Sequence, residues 1–247
     1  MPKWCDATVT EKRVWTDGLF TLTMKAPDVV EFEPGQFLHL ALGDEENRVN
    51  RPYSVASPHG DTIEFFIVRV DDGALTPRLW ALEVGDTLQV SQKAAGRFSL
   101  KHTPEAKHLW LIGTGTGLAP YIAMLRSEQA WDVYEKIVVV HGVRYAADLA
   151  YTEELQALAE SKTGRFSLIQ ALTREESEGT LKGRIPALLE DGSLEKAAGC
   201  TMQHDNSSVL LCGNPAMLDD MESKLGERDM KRHRSKAPGQ IVLERYW

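Results

Sequence analysis

The apolar residues change their period about two-fifths of the way along the chain, and that change constrains the fold more than any single motif. Between Thr8 and Leu100 apolar positions alternate in short runs, as in Leu19-Phe20-Thr21-Leu22-Thr23-Met24, Gln36 to Leu42, Ile63 to Val68 and Thr87 to Val90. Alternation places every second side chain on one face, the signature of a strand with a single buried side. Proline, glycine and acidic clusters such as Gly43-Asp44-Glu45-Glu46-Asn47 separate the runs. About six strands at this spacing predict an antiparallel barrel or sandwich. One stretch, Leu75 to Leu82, reads as a helix, with Pro77 tolerable in its first turn and Leu75, Leu79 and Leu82 sharing a face.

Beyond the polar segment Lys101 to Lys107 the runs become continuous. Leu109 to Ile112, Lys136 to Val140 and Ser208 to Cys212 read as strands buried on both faces. Helical patterns lie between and after them, over Leu118 to Arg126, Asp148 to Glu160 and Pro215 to Glu227. Strand–helix alternation predicts a doubly wound α/β domain. The expected organisation is an all-β domain over residues 1–102 and an α/β domain over 103–247.

The 247 residues suffice for two modest domains with their own cores. Hydrophobic residues at 43% and charged residues at 26% exclude a disordered, collagenous or coiled-coil chain. No apolar run reaches the roughly 18 residues of a spanning helix. The first residues, Met1-Pro2-Lys3-Trp4-Cys5-Asp6, lack a charged-then-apolar leader pattern, so a cytoplasmic protein with no membrane association is expected. The 28 Lys plus Arg against 36 Asp plus Glu give a net charge of −8, which argues against nucleic acid as a partner. An acidic protein that binds a polyanionic ligand must concentrate its arginines locally. Cys5, Cys200 and Cys212 are odd in number and scattered. A disulfide framework, a structural zinc and a four-cysteine iron–sulfur cluster are therefore disfavoured, and no metal is expected.

Three motifs carry chemistry. Gly113-Thr114-Gly115-Thr116-Gly117-Leu118-Ala119-Pro120 follows an apolar run and opens a helix. Glycines let the backbone approach a ligand, and a helix start offers N–H groups to phosphate. Leu118 stands where the dinucleotide fingerprint has its third glycine, and a plain tight β–α turn explains the same residues. Cys212-Gly213-Asn214-Pro215 again joins a strand to a helix. Cys212 falls where open α/β sheets bind ligands, although a lone cysteine also serves as a small buried hydrophobe. Arg51-Pro52-Tyr53-Ser54, in the all-β half, combines a guanidinium, an aromatic ring and a hydroxyl, which can pair a phosphate, stack on a planar ring and bond its edge.

In their order and spacing these motifs resemble the ferredoxin–NADP⁺ reductase family, over essentially the whole chain. The ending Glu244-Arg245-Tyr246-Trp247 and the stretch His141 to Leu149 are similar to the bacterial, enterobacterial-type ferredoxin/flavodoxin reductases. The resemblance implies a Greek-key FAD-binding barrel followed by a five-stranded parallel NADP-binding domain. It implies one tightly held FAD, NADPH as substrate, and flavodoxin or an iron–sulfur ferredoxin as acceptor of single electrons. It also implies a monomer.

The same resemblance assigns roles. Tyr53 would stack on the isoalloxazine beside Pro52, and Arg51 would neutralise the FAD pyrophosphate. Phe66 and Val68 would line the flavin, Gly73, Leu75 and Thr76 would cradle the pyrophosphate, and Thr116 would complete the FAD contacts. Ser54, Cys212 and Glu244 would flank the point of hydride transfer, positioning the rings and handling a proton. Tyr246 and Trp247 would cover the flavin and stack on the adenine of a folded FAD, although two terminal aromatics can simply pack on the barrel. Thr114, Gly115, Thr173, Gly213 and Asn214 would contact NADP, with Arg144, Arg174 and Arg184 on its phosphates. Arginines at these strand ends suit a 2′-phosphate, where NAD sites place a carboxylate. The basic run Lys231-Arg232-His233-Arg234-Ser235-Lys236 is either a solvated loop or a docking patch for an acidic carrier. Flavin reductases, oxygenase-reductase components and non-enzymatic electron-transfer subunits share this scaffold and are the alternatives.

Overall fold

The computed structural model describes residues 3–245. Its contacts fall into two units: the described residues up to Lys101 with Ala119–Ser127, and His102–Leu118 with Glu128 onward.

The first unit contains β1 (Trp4–Thr16), β2 (Leu19–Lys25), β3 (Phe37–Leu42), β4 (Val49–Ser54), β5 (Thr62–Val68), the short helix α1 (Thr76–Trp80) and β6 (Thr87–Ser91). The strands form one antiparallel sheet in the order β4-β3-β6-β1-β2-β5. Cys5, Ala7 and Val9 point inward while Asp6, Thr8 and Thr10 face out, so the alternation is realised as a one-sided core. The sheet curls until its edges meet at the isolated bridge Val55–Phe65 and the 2.7 Å bond from the Ala56 N–H to the Glu64 carbonyl. Edge contact of this kind removes the unpaired strand borders of an open sheet. Phe20, Leu22, Leu38, Leu40, Phe65, Leu79 and Val90 fill the interior.

Helix α2 (Ala119–Leu125) belongs to this unit although the barrel strands precede it by some distance in sequence. Tyr121 lies 6.0 Å from Phe98 between ring centroids, and Arg126 just beyond the helix pairs with Glu64 at 3.3 Å and donates to the Ala56 carbonyl.

The second unit contains β7 (His108–Thr114), α3 (Gln129–Val133), β8 (Lys136–Val143), α4 (Thr152–Ser161), β9 (Phe166–Leu172), β10 (Leu181–Lys182), α5 (Ile185–Glu190), α6 (Ser193–Ala198), β11 (Ser207–Gly213), α7 (Pro215–Gly226) and β12 (Ile241–Arg245). All its strand pairs are parallel, in the order β10-β9-β8-β7-β11-β12. Five of the strands are full length, and the two-residue β10 adds a short sixth at one border. β11 is buried along its whole length, and β7 and β8 nearly so, which is why their sequences do not alternate. The strand order runs outward from β7 through β8 on one side and through β11 on the other, a topological switch point.

Candidate functional site

The Arg-Pro-Tyr-Ser motif is β4, a border strand bonded only to β3. Pro52 lacks an N–H and is tolerated there. Tyr53 and Arg51 sit opposite Leu38 and Leu40, which are fully buried core residues. Tyr53 is half-buried and Arg51 exposed although both share the face of that core, because the border strand β4 is laddered to β3 alone. Burial pushes the Tyr53 phenol up to about 12 against the opposing pull of Arg51, so its hydroxyl stays neutral and able to donate. The Arg51 guanidinium bonds its neighbour's carbonyl, Asn50, at 2.7 Å and meets no carboxylate among the described residues. Ser54 closes the strand and is buried.

On β5, Ile63, Phe65 and Ile67 enter the core while Glu64, Phe66 and Val68 face outward. Phe66 is nonetheless buried, with Trp15 edge-on at 6.5 Å, whereas Val68 stays 41% exposed. The Thr76 hydroxyl accepts from the Val70 N–H at 2.9 Å and donates to the Val70 carbonyl at 3.1 Å. Gly73 packs inside the turn so formed, its N–H bonded to the same carbonyl at 2.8 Å, and Leu75 anchors α1 in the core. Thr76 thus shapes the loop whose backbone precedes the helix.

In the second unit the Gly-Thr-Gly turn and the Cys-Gly-Asn segment meet at the switch point. Gly113 pairs with Cys212, and the Thr114 hydroxyl accepts the Asn214 N–H at 2.8 Å. Two glycines are required by this approach. A Cβ on Gly117 would lie 2.5 Å from the Cys212 carbonyl oxygen. Gly213 has φ +124° and a Cβ there would lie 2.8 Å from the Thr114 carbonyl oxygen. Asn214 caps α7, its side chain accepting from Ala216 and Met217, with Pro215 at the first helical turn. Thr116, in the 3-10 turn Gly115–Leu118, is buried.

Cys212 is fully buried and pairs with Glu244 of β12 in register, so these two residues share one face at the carboxyl edge. Ser54 belongs to the other unit. One residue of this row escaped the motif reading. His141 pairs with Gly113 on one side and Gln170 on the other, is fully buried, and lies with Nε2 3.0 Å from the Gly115 carbonyl oxygen. The sequence marked it only as a histidine interrupting the apolar run of β8, at the head of the stretch His141 to Leu149, and gave it no role.

Arg144 follows β8, Arg174 follows β9, and Arg184 follows β10 as the N-cap of α5. The Thr173 and Arg174 N–H groups bond the Val143 and Arg144 carbonyls at 3.1 and 3.0 Å, and Gly183 bonds Leu172 at 2.9 Å. The three strand ends are therefore tied side by side. All three guanidinium groups are exposed, and none is ion-paired among the described residues. Two nearby carboxylates are committed elsewhere: Glu175 accepts from the Ala146 N–H, and Glu176 pairs with Lys182. Arginines free of ion pairs among the described residues stand out in a chain of net charge −8, because nothing has to be displaced for them to meet an anion.

Residues 7–99 match the oxidoreductase FAD-binding domain and residues 111–223 the oxidoreductase NAD-binding domain. The flavodoxin/ferredoxin–NADP reductases of Escherichia coli and Shigella flexneri are each 43% identical to the chain over 249 aligned positions, covering 100% of both partners. The chain belongs to the flavodoxin/ferredoxin–NADP reductase family. A ferredoxin NADP⁺ reductase from Neisseria gonorrhoeae, solved with bound FAD and NADP, superposes with a TM-score of 0.94 at 28% identity, covering 100% of each chain. The family's two-domain FAD and NADP architecture is thus the architecture of this chain.

Among the described residues nothing resembles a metal site of three or more His, Cys, Asp or Glu, and no helix is long and apolar enough to cross a membrane. Tyr246 and Trp247, the reductase tail singled out in the sequence, lie outside the described residues. The basic run Lys231 to Lys236 leads into β12 and is exposed at Lys231, Arg232, Arg234 and Lys236, its backbone held by the His233 N–H bond to Ile241 at 2.7 Å.

Proposed function

We propose that this chain oxidises NADPH, holds one FAD, and delivers electrons singly to flavodoxin or ferredoxin. The observation that carries the reading is the carboxyl edge of the parallel sheet. There the Gly-Thr-Gly turn, the Cys-Gly-Asn segment and three unpaired arginines occupy neighbouring strand ends of a switch-point fold. This is where open α/β sheets bind dinucleotides, and arginines suit the 2′-phosphate. Full-length relatives carrying this activity in their names support the same reading.

A bound flavin supplies the conversion of a two-electron hydride into one-electron steps. The chain's own residues bind and orient. Arg51, exposed and without a carboxylate, fits an anionic cofactor, and the half-buried Tyr53 offers a ring face and a neutral hydroxyl. Pro52, Phe66, Val68, Gly73, Leu75, Thr76 and Thr116 complete the proposed FAD contacts, with Tyr246 and Trp247 beyond the described residues. Thr114, Gly115, Thr173, Gly213 and Asn214 hold the NADP side beside Arg144, Arg174 and Arg184. Ser54, Cys212 and Glu244 position the reacting rings, Glu244 being able to hold a proton beside Cys212. The division at residues 102 and 103, a monomeric state and a cytoplasmic location belong to the same proposal. Lys231 to Lys236 offer an exposed positive face to an acidic carrier.

Cofactor content tests the first half of the reading. The purified chain is expected to be yellow and to release about one FAD per chain on denaturation. A colourless protein that uses free flavin only as a diffusing substrate would be a flavin reductase instead.

A further inference from the structure

His141 is fully buried in β8, whose other residues, apart from Lys136 at its start and Gly142, are aliphatic. An aliphatic side chain at this station would bring no polar atom to satisfy. The imidazole brings two, and Nδ1 is buried without a partner, which is costly. The ring's one hydrogen bond among the described residues is the 3.0 Å contact of Nε2 with the Gly115 carbonyl. A carbonyl only accepts, so Nε2 carries the hydrogen and donates. Burial keeps the ring neutral, its pKa being pushed down to about 4. The ladder permits the contact: Gly113, across from His141, has no side chain to bar the ring from the turn. Gln170, on the other side, gives its amide to the Thr152 hydroxyl at 3.0 Å.

Gly115 has φ +55°, and a Cβ there would meet nothing within 4 Å. The backbone conformation asks for the glycine, while the space beside it is open. Without an anchor, the peptide that follows Gly115 is at liberty to rotate and turn its carbonyl outward. The oxygen is the negative end of the peptide dipole, and facing outward it would oppose a phosphate lying on the turn.

We propose that His141 is a positioning residue, which holds the Gly115 carbonyl inward and so locks the Gly-Thr-Gly turn in the form that accepts the pyrophosphate of the dinucleotide. This role rests on the NADPH reading and adds to it the group that sets the turn's conformation. His141 does not touch the substrate and acts through Gly115. The bond is buried, so water does not compete for it, and the turn's freedom is removed before the ligand arrives. Preorganisation of this kind acts on binding and not on the hydride step, so it belongs in KM and not in kcat.

The test compares the FAD-loaded full chain with His141→Leu, which fills the site but cannot donate, and with His141→Gln, whose amide keeps a donor. Calorimetric titration with NADP⁺ and with 2′-AMP, which lacks the pyrophosphate, accompanies steady-state kinetics with NADPH. His141→Leu is expected to weaken NADP⁺ and raise the NADPH KM about five- to tenfold, the worth of one ordinary hydrogen bond, with kcat within about twofold of the parent. His141→Gln should restore both to within about twofold, and 2′-AMP should bind all three proteins alike. Nitrogen NMR spectra of the parent, with the His141 signal identified by its loss in His141→Gln, should show a neutral ring protonated on Nε2, both free and with NADP⁺ bound. That observation does not depend on the leucine variant folding. Equal NADP⁺ affinity in His141→Leu and the parent would overturn the proposal. So would a glutamine variant as impaired as the leucine one, an equal loss for 2′-AMP, or a ring protonated on Nδ1 alone. Failure of the parent chain to bind NADP⁺ and 2′-AMP at all would overturn the NADPH reading instead.

Discussion

Arg174→Ala combined with Arg184→Ala removes most of the preference for NADPH over NADH. A hydrogen bond to a charged group is worth about 1.5–3 kcal/mol, so two of them predict a loss of about a hundredfold to about ten-thousandfold or more in kcat/KM for NADPH. NADH has no 2′-phosphate and should change by less than about threefold. The expectation follows from the strand ends. Both guanidinium groups are exposed, neither is engaged by a carboxylate among the described residues, and the backbone between β9 and β8 is tied by two hydrogen bonds. No ion pair has to be broken before phosphate arrives, and none is orphaned when the arginines are removed. The unfolding midpoint should therefore hold while the cofactor preference collapses. An unchanged NADPH/NADH ratio of kcat/KM would contradict the assignment.

Acidification should destabilise the protein through His141. A carbonyl only accepts, so the 3.0 Å contact with Gly115 places the ring hydrogen on Nε2. Nδ1 is buried and has no partner. Burial holds the imidazole's pKa down to about 4 from the ordinary 6.5, with the Gly115 bond partly opposing the shift. The unfolded chain consequently binds more protons than the native one between these values. The native state's advantage is complete above pH 6.5 and declines as pH falls towards 4. At about 1.4 kcal/mol per pKa unit, the decline amounts to about 3 kcal/mol. Denaturant unfolding of the parent and of His141→Gln measures it. Glutamine can still donate an amide N–H towards Gly115 but does not titrate. The stability difference between the two proteins should shift in favour of the variant by about 3 kcal/mol between pH 7 and pH 4. A constant difference across that range would show that His141 is not held neutral.

The two halves of the fold were legible because strands buried on one face and on both faces write different periods. Short elements were harder. Helices α3, α5 and α6 run five or six residues, too few to show a helical repeat. The pattern from Asp148 predicts a helix that begins only at Thr152, because the 3-10 turn Ala146–Asp148 and the left-handed Tyr151, φ 59°, precede it. β1 starts at Trp4 rather than Thr8, its first residues being recruited by pairing with β6. The site motifs stood out as signatures, yet their reasons are tertiary. Nothing local in Gly213 indicates that Thr114 passes within van der Waals distance, nor in Cys212 that its register partner is Glu244. His141 lay in a stretch quoted for its resemblance, but its place between Gly113 and Gln170 emerged only from the ladder.

The two units serve electron delivery from NADPH to a small carrier protein. Its most direct measurement is NADPH-dependent cytochrome c reduction by the FAD-loaded chain, with and without added flavodoxin or ferredoxin, repeated with NADH. Catalytic turnover with NADPH is expected, with strong acceleration by at least one carrier and far lower kcat/KM with NADH. A chain that retains its FAD and oxidises NADPH, yet shows no acceleration by either carrier, would contradict it.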